Sequence, residues 1–71
     1  MAEELVIVGA GGSAGGIVEI VEEINGRGQR WLLRGFLDDD PEKQGGSVAG
    51  YPILGPLELV RTLPRASFVI G

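Results

Sequence analysis

Apolar residues gather in six stretches along the chain, and the spacing inside them differs. Leu5, Val6, Ile7 and Val8 follow one another without a polar break. An unbroken run predicts a strand buried on both faces, as in a parallel sheet. Past a cluster of glycines the period changes. Ala14, Ile17, Val18, Val21 and Ile24 return at three- and four-residue steps, with Glu19, Glu22 and Glu23 on the opposite side. This predicts an amphipathic helix from Ser13, stopped at Asn25-Gly26 with Gly26 as a left-handed cap. Residues 31–37 (Trp-Leu-Leu-Arg-Gly-Phe-Leu) predict a second strand, which ends at Asp38-Asp39-Asp40-Pro41. Pro41 keeps Asp40 out of helical geometry. Residues 41–50 read as loop by composition. Tyr51, Pro52, Ile53 and Leu54 predict a short strand at a sheet edge, since proline cannot donate to a ladder. A short helix follows from Pro56, with Leu57, Leu59, Val60 and Leu63 as its apolar residues and Pro64 as its stop. Residues 66–70 form a last apolar strand.

The order β-α-β-loop-β-α-β predicts an α/β fold with right-handed crossovers. In detail the expectation is a Rossmann-like, three-layer parallel sheet of strand order 3-2-1-4, in a single domain over residues 1–71. The fourth strand then stands at an open edge, so the sheet is incomplete on its C-terminal side. An uncovered apolar edge invites association, and a homo-oligomer is expected.

Composition narrows the chemistry. The chain has 71 residues, no cysteine and no histidine. Disulfides, the usual zinc sites and histidine general bases are therefore excluded within it. Ten acidic against six basic residues give a net charge of −4, a poor balance for nucleic-acid binding. No apolar run approaches the ~20 residues of a membrane span. The opening Met1-Ala2-Glu3-Glu4 has no basic segment of a secretory signal, so a cytoplasmic location is expected.

Two stretches carry candidate chemistry. Gly9-Ala10-Gly11-Gly12-Ser13-Ala14 fits the G-x-G-x-x-G/A pattern between a strand and a helix. In that pattern Gly9 makes the sharp turn and Gly11 lets a phosphate approach the backbone. Ala14, or Gly15 one step on, allows close helix–strand packing. Ser13 offers a hydroxyl to cap the helix or to touch a phosphate. The amides and partial positive charge of the helix start add an anion seat. The plainer reading is a turn that only lets helix and sheet pack. The second stretch is Asp38-Asp39-Asp40, at the tip of the second strand, where a Rossmann unit bonds a ribose hydroxyl. Asp38 and Asp39 are the leading candidates, and three adjacent carboxylates disfavour a 2′-phosphate. Its plainer reading is a solvated loop in which one aspartate caps the turn. Ser47, Tyr51 and Arg34 are secondary, with Arg34 expected either to point to a sheet face or to pair with a glutamate. No nucleophile with a base beside it is evident. On the glycine pattern alone, an NAD- or CoA-binding domain of a regulator or oxidoreductase fits as an alternative.

Four segments taken in order extend the picture. They are residues 6–12 (Val-Ile-Val-Gly-Ala-Gly-Gly), 35–41 (Gly-Phe-Leu-Asp-Asp-Asp-Pro), 50–58 (Gly-Tyr-Pro-Ile-Leu-Gly-Pro-Leu-Glu) and 68–71 (Phe-Val-Ile-Gly). Together they resemble the N-terminal domain of the sialic acid O-acetyltransferase/bacillosamine N-acetyltransferase family, over nearly the whole chain. The resemblance implies a Rossmann-like domain that holds a nucleotide-linked sugar, a UDP-sugar in the bacillosamine enzymes. It implies Gly9, Gly11 and Gly12 along the diphosphate, and Asp38 and Asp39 against the nucleoside. In the full-length family a following left-handed β-helix domain binds acetyl-CoA, forms a trimer and carries a catalytic histidine. This sequence departs in two ways. Ser13 stands where the family usually has histidine, and the hexapeptide repeats of the β-helix are absent. The implication is a substrate-binding domain, truncated before the catalytic part, that does not transfer acetyl groups by itself and has no cofactor of its own.

Overall fold

The computed structural model describes residues 2–71. In chain order it contains β1 (Glu3–Val8), α1 (Ala14–Gly26), β2 (Trp31–Leu37), a 3-10 helix (Pro41–Lys43), β3 (Ser47–Val48), β4 (Tyr51–Gly55), a second 3-10 helix (Leu57–Thr62) and β5 (Ser67–Ile70). The chain is an α/β unit around one five-stranded sheet of order β3-β4-β2-β1-β5. β1 pairs in parallel with β2 and β5, β2 pairs in parallel with β4, and β3 runs antiparallel to β4. Among the described residues no helix is long and apolar enough to cross a membrane.

The sheet departs from the four-stranded, wholly parallel sheet of order 3-2-1-4 expected from the sequence. The stretch 41–50, read as loop, holds a 3-10 turn and the two-residue strand β3, so the sheet is mixed and β4 is not its edge. The cause is the turn at Ala49-Gly50. Val48 faces Tyr51 across it, and both turn residues have positive φ, 51° and 87°. Positive φ at both central residues is the type I′ hairpin turn, whose twist matches that of the strands it joins. Alanine in place of the usual Asn or Asp hides that turn in the sequence.

Two further expectations change. The helix does not cap on a left-handed Gly26. Gly26 lies inside α1, and Gly28 takes the positive φ of 131°. Asn25 ties off the helix end instead. Its Oδ1 accepts from the amides of Arg30 and Trp31 at 3.1 and 3.0 Å, and its Nδ2 donates to the Trp31 carbonyl at 2.9 Å. The predicted helix after Pro56 is the 3-10 helix Leu57–Thr62, which has no buried residue.

α1 covers one face of the sheet. Ala14, Val18 and Val21 meet Leu5, Ile7, Leu33, Phe36 and Ile53 in one cluster, with Phe36 and Ile7 fully buried. Leu33 and Phe36 are three apart, yet both join this cluster. Strict alternation would send them to opposite faces. A bulge explains it: Leu5 pairs with Leu33, but Val6 pairs with Gly35, so β2 carries an extra residue. Gly35 has φ 145°, and a Cβ there would collide with the Pro52 carbonyl oxygen. A second bulge in β4 sets Gly55, φ 154°, opposite Leu37. On the other face Val6 and Leu37 are buried, and Leu54, Leu59 and Leu63 gather over Val6. Phe68 and Ile70, side by side with Val6 and Val8, stay exposed on that face.

Candidate functional site

The strand ends converge on Gly9. Its amide donates to the Leu37 carbonyl at 2.7 Å, and the Gly71 amide donates to the Val8 carbonyl at 2.8 Å. Gly9 has φ 98°, and a Cβ would lie 3.3 Å from the Gly71 carbonyl oxygen. Its role as the sharp turn therefore has a backbone reason. Ala10 is buried, and its amide donates to Asp38 Oδ2 at 2.8 Å. The glycine turn and the tip of β2 thus meet directly.

Asp38 is fastened on both sides. Its Oδ1 accepts from the Asp40 amide at 2.9 Å, and Lys43 Nζ lies 3.7 Å from Oδ2. The Ala10 amide first, then the Asp40 amide, hold this carboxyl below its usual range, and the Lys43 charge adds to the effect. Lys43 Nζ also donates to the Ala10 carbonyl at 3.2 Å. Gln44 Nε2 donates to the carbonyls of Asp38 and Asp40 at 2.6 and 3.0 Å. The neighbouring aspartates do other work. Asp39 Oδ1 accepts from the Leu57 amide at 2.8 Å, which ties it to the start of the second 3-10 helix. Asp40 Oδ1 accepts from the Glu42 amide at 2.9 Å and caps the first one. The three carboxylates turn to different backbone amides, and among the described residues no group of three such side chains is set to hold a metal ion.

Beyond Ala10 the turn is open. Gly11, Gly12 and Ser13 are exposed. Ser13 occupies the N-cap position, but its side chain makes no capping bond, so the hydroxyl does not take the capping role considered for it. Neither Gly11 nor Gly12 has a positive φ, and a Cβ at either would meet nothing within 4 Å. The same holds for Gly15 and Gly16. Ala14, fully buried, is the small residue that brings helix and strand together. Beside Ala10 opens a cleft of about 320 Å³ lined by Lys43, Ser47, Val48 and Ile53 among others. Tyr51 is half-buried against the core and donates its hydroxyl to Glu22 at 3.4 Å. Arg34 faces Glu4 at 3.7 Å, the glutamate pairing that is one of its two expected roles.

Sequence reasoning missed Lys43 and Gln44, whereas it already places Asn25 at the helix stop. Lys43 stands 33 residues from Ala10, and its only sign in the sequence is a basic residue just after an acidic run. Among curated proteins none matches the chain. The family described as the PglD N-terminal domain matches residues 4–71, PglD being a UDP-bacillosamine N-acetyltransferase. Strand, glycine turn, acidic tip and closing strand all fall within that match, and the chain belongs to the family of PglD N-terminal domains.

Proposed function

We propose that this chain is the substrate-binding domain of a sugar acetyltransferase, that it takes a nucleotide-linked sugar, and that the nucleotide is a uridine diphosphate. The observation that carries this reading is the surplus of glycine at Gly11 and Gly12. Neither backbone angle nor crowding within the chain requires glycine there. A ligand that must come close to the backbone does require it. The Gly11, Gly12 and Ser13 amides, at a helix start that no side chain caps, then face the diphosphate in a Rossmann-like manner. A carboxylate offers about four acceptor positions, and backbone amides take two on Asp38. The remainder suit a ribose hydroxyl, with Asp39 as the other contact to the nucleoside. In this reading acetyl-CoA and the acetyl-transfer chemistry belong to another domain, and the protein works in the cytoplasm as a homo-oligomer.

The same glycine turn with an acid at the next strand tip also suits a dinucleotide or CoA. Titration calorimetry and thermal melting with a UDP-sugar, UDP, NAD and CoA separate the readings. A uridine ligand at about a hundred times its Kd should stabilise the fold by about 2.7 kcal/mol. Stabilisation by NAD or CoA alone would favour the alternative, and no response to any uridine nucleotide would end the proposal.

A further inference from the structure

We infer that Lys43 is the residue that lets an acidic strand tip accept a nucleoside diphosphate, by reaching back to the glycine turn and offering its ammonium to a phosphate oxygen. The inference rests on the nucleotide-sugar reading and names the side chain that tunes it. Within residues 38–42 the chain carries Asp38, Asp39, Asp40 and Glu42. A diphosphate on the neighbouring glycine turn would be repelled by that group. Lys43 answers the conflict geometrically. Its Nζ donates to the Ala10 carbonyl at 3.2 Å. It also stands 3.7 Å from Asp38 Oδ2, too far for a hydrogen bond but close enough to offset the charge. An ammonium has three donors. The bond to Ala10 uses one, and the side chain is 36% exposed, so the ammonium stays open to a ligand.

The other five basic residues lie elsewhere in the fold. Arg27 and Arg30 follow the end of α1, Arg34 is within β2 against Glu4, Arg61 is in the second 3-10 helix, and Arg65 precedes β5. Among the basic side chains of the described residues, only Lys43 bonds to the glycine turn. Discrimination should follow: Lys43 favours the charged diphosphate and leaves a bare nucleoside unaffected.

The test is calorimetric titration of UDP and of uridine into the wild type, Lys43→Met and Lys43→Arg, at low and high salt. The wild type should bind UDP more tightly than uridine. Lys43→Met should lose about tenfold in UDP affinity, the effect of one charge-assisted bond, with uridine binding unchanged and a weaker salt dependence for UDP. Lys43→Arg should retain most of the UDP affinity. If Lys43→Met binds UDP as the wild type does, or loses UDP and uridine affinity equally, the inference is overturned while the nucleotide reading stands. If the wild type binds no uridine nucleotide, both fall. Should Lys43→Met fail to fold, the Lys43 side-chain NMR signal of the wild type decides instead: it should move with UDP and not with uridine, and an equal response to both would overturn the inference.

Discussion

Asp38 joins two parts of the chain that the sequence keeps 28 residues apart, through one bond to the Ala10 amide. That bond and the Asp40 amide favour its charged form, so it titrates lower in the folded chain than the ~3.9 of an unperturbed aspartate. A depressed folded pKa has a definite sign. The stability it contributes is complete above the unfolded value and is lost as the pH falls through the lower folded one. Asp38→Asn should therefore lower stability at neutral pH and flatten the acid limb of unfolding below about pH 4. Circular dichroism across pH measures this, and parallel acid limbs in the two proteins would contradict it. Gly11 makes the opposite kind of prediction. Its φ is not positive and nothing crowds it, so Gly11→Ala should leave stability within about 0.5 kcal/mol of the wild type. The same change should abolish UDP-sugar binding, a separation that melting and titration of one variant can read.

At the scale of elements, glycines divide by whether the backbone needs them. Gly35 holds the β2 bulge with φ 145°, and Pro52 blocks any side chain there. Gly35→Ala should cost at least about 2 kcal/mol in thermal unfolding. Gly16 sits inside α1 with open space around it, and Gly16→Ala should add about 0.5–1 kcal/mol. The β3–β4 hairpin turns on Ala49, the one non-glycine among the described residues with positive φ. Left-handed backbone costs an L-residue about 1 kcal/mol, and asparagine tolerates it better. Ala49→Asn should therefore raise the melting temperature. β1, α1, β2, β4 and β5 were all legible as apolar runs or an amphipathic period. β3 was not, because two residues cannot display a period and the turn residue before Gly50 is atypical.

For the molecule as a whole, size and edge matter most. A domain this small buries only about 60% of the surface its unfolded chain exposes. Its second face is covered by a 3-10 helix with no buried residue. Ile70 is 78% exposed at the edge strand β5, where neither proline nor charge interrupts the apolar run. Such an edge favours association. Sedimentation should show the chain self-associating with rising concentration, and Ile70→Lys should reduce that association. Identical sedimentation of the two proteins would place the contact elsewhere.

Local pattern alone was enough for the α/β class, the glycine turn between strand and helix, and an acidic residue at the second strand tip. Each is written in neighbouring residues, as period, backbone freedom or charge. What distinguishes Asp38 from Asp39 is not written there, since the two are chemically identical and adjacent. Only folding decided that Asp38 faces Ala10 while Asp39 bonds to Leu57. Folding alone also brought Lys43 to the turn and let the bulge at Gly35 put Leu33 and Phe36 on one face. These outcomes depend on register and on contacts between distant segments, which no window along the chain contains.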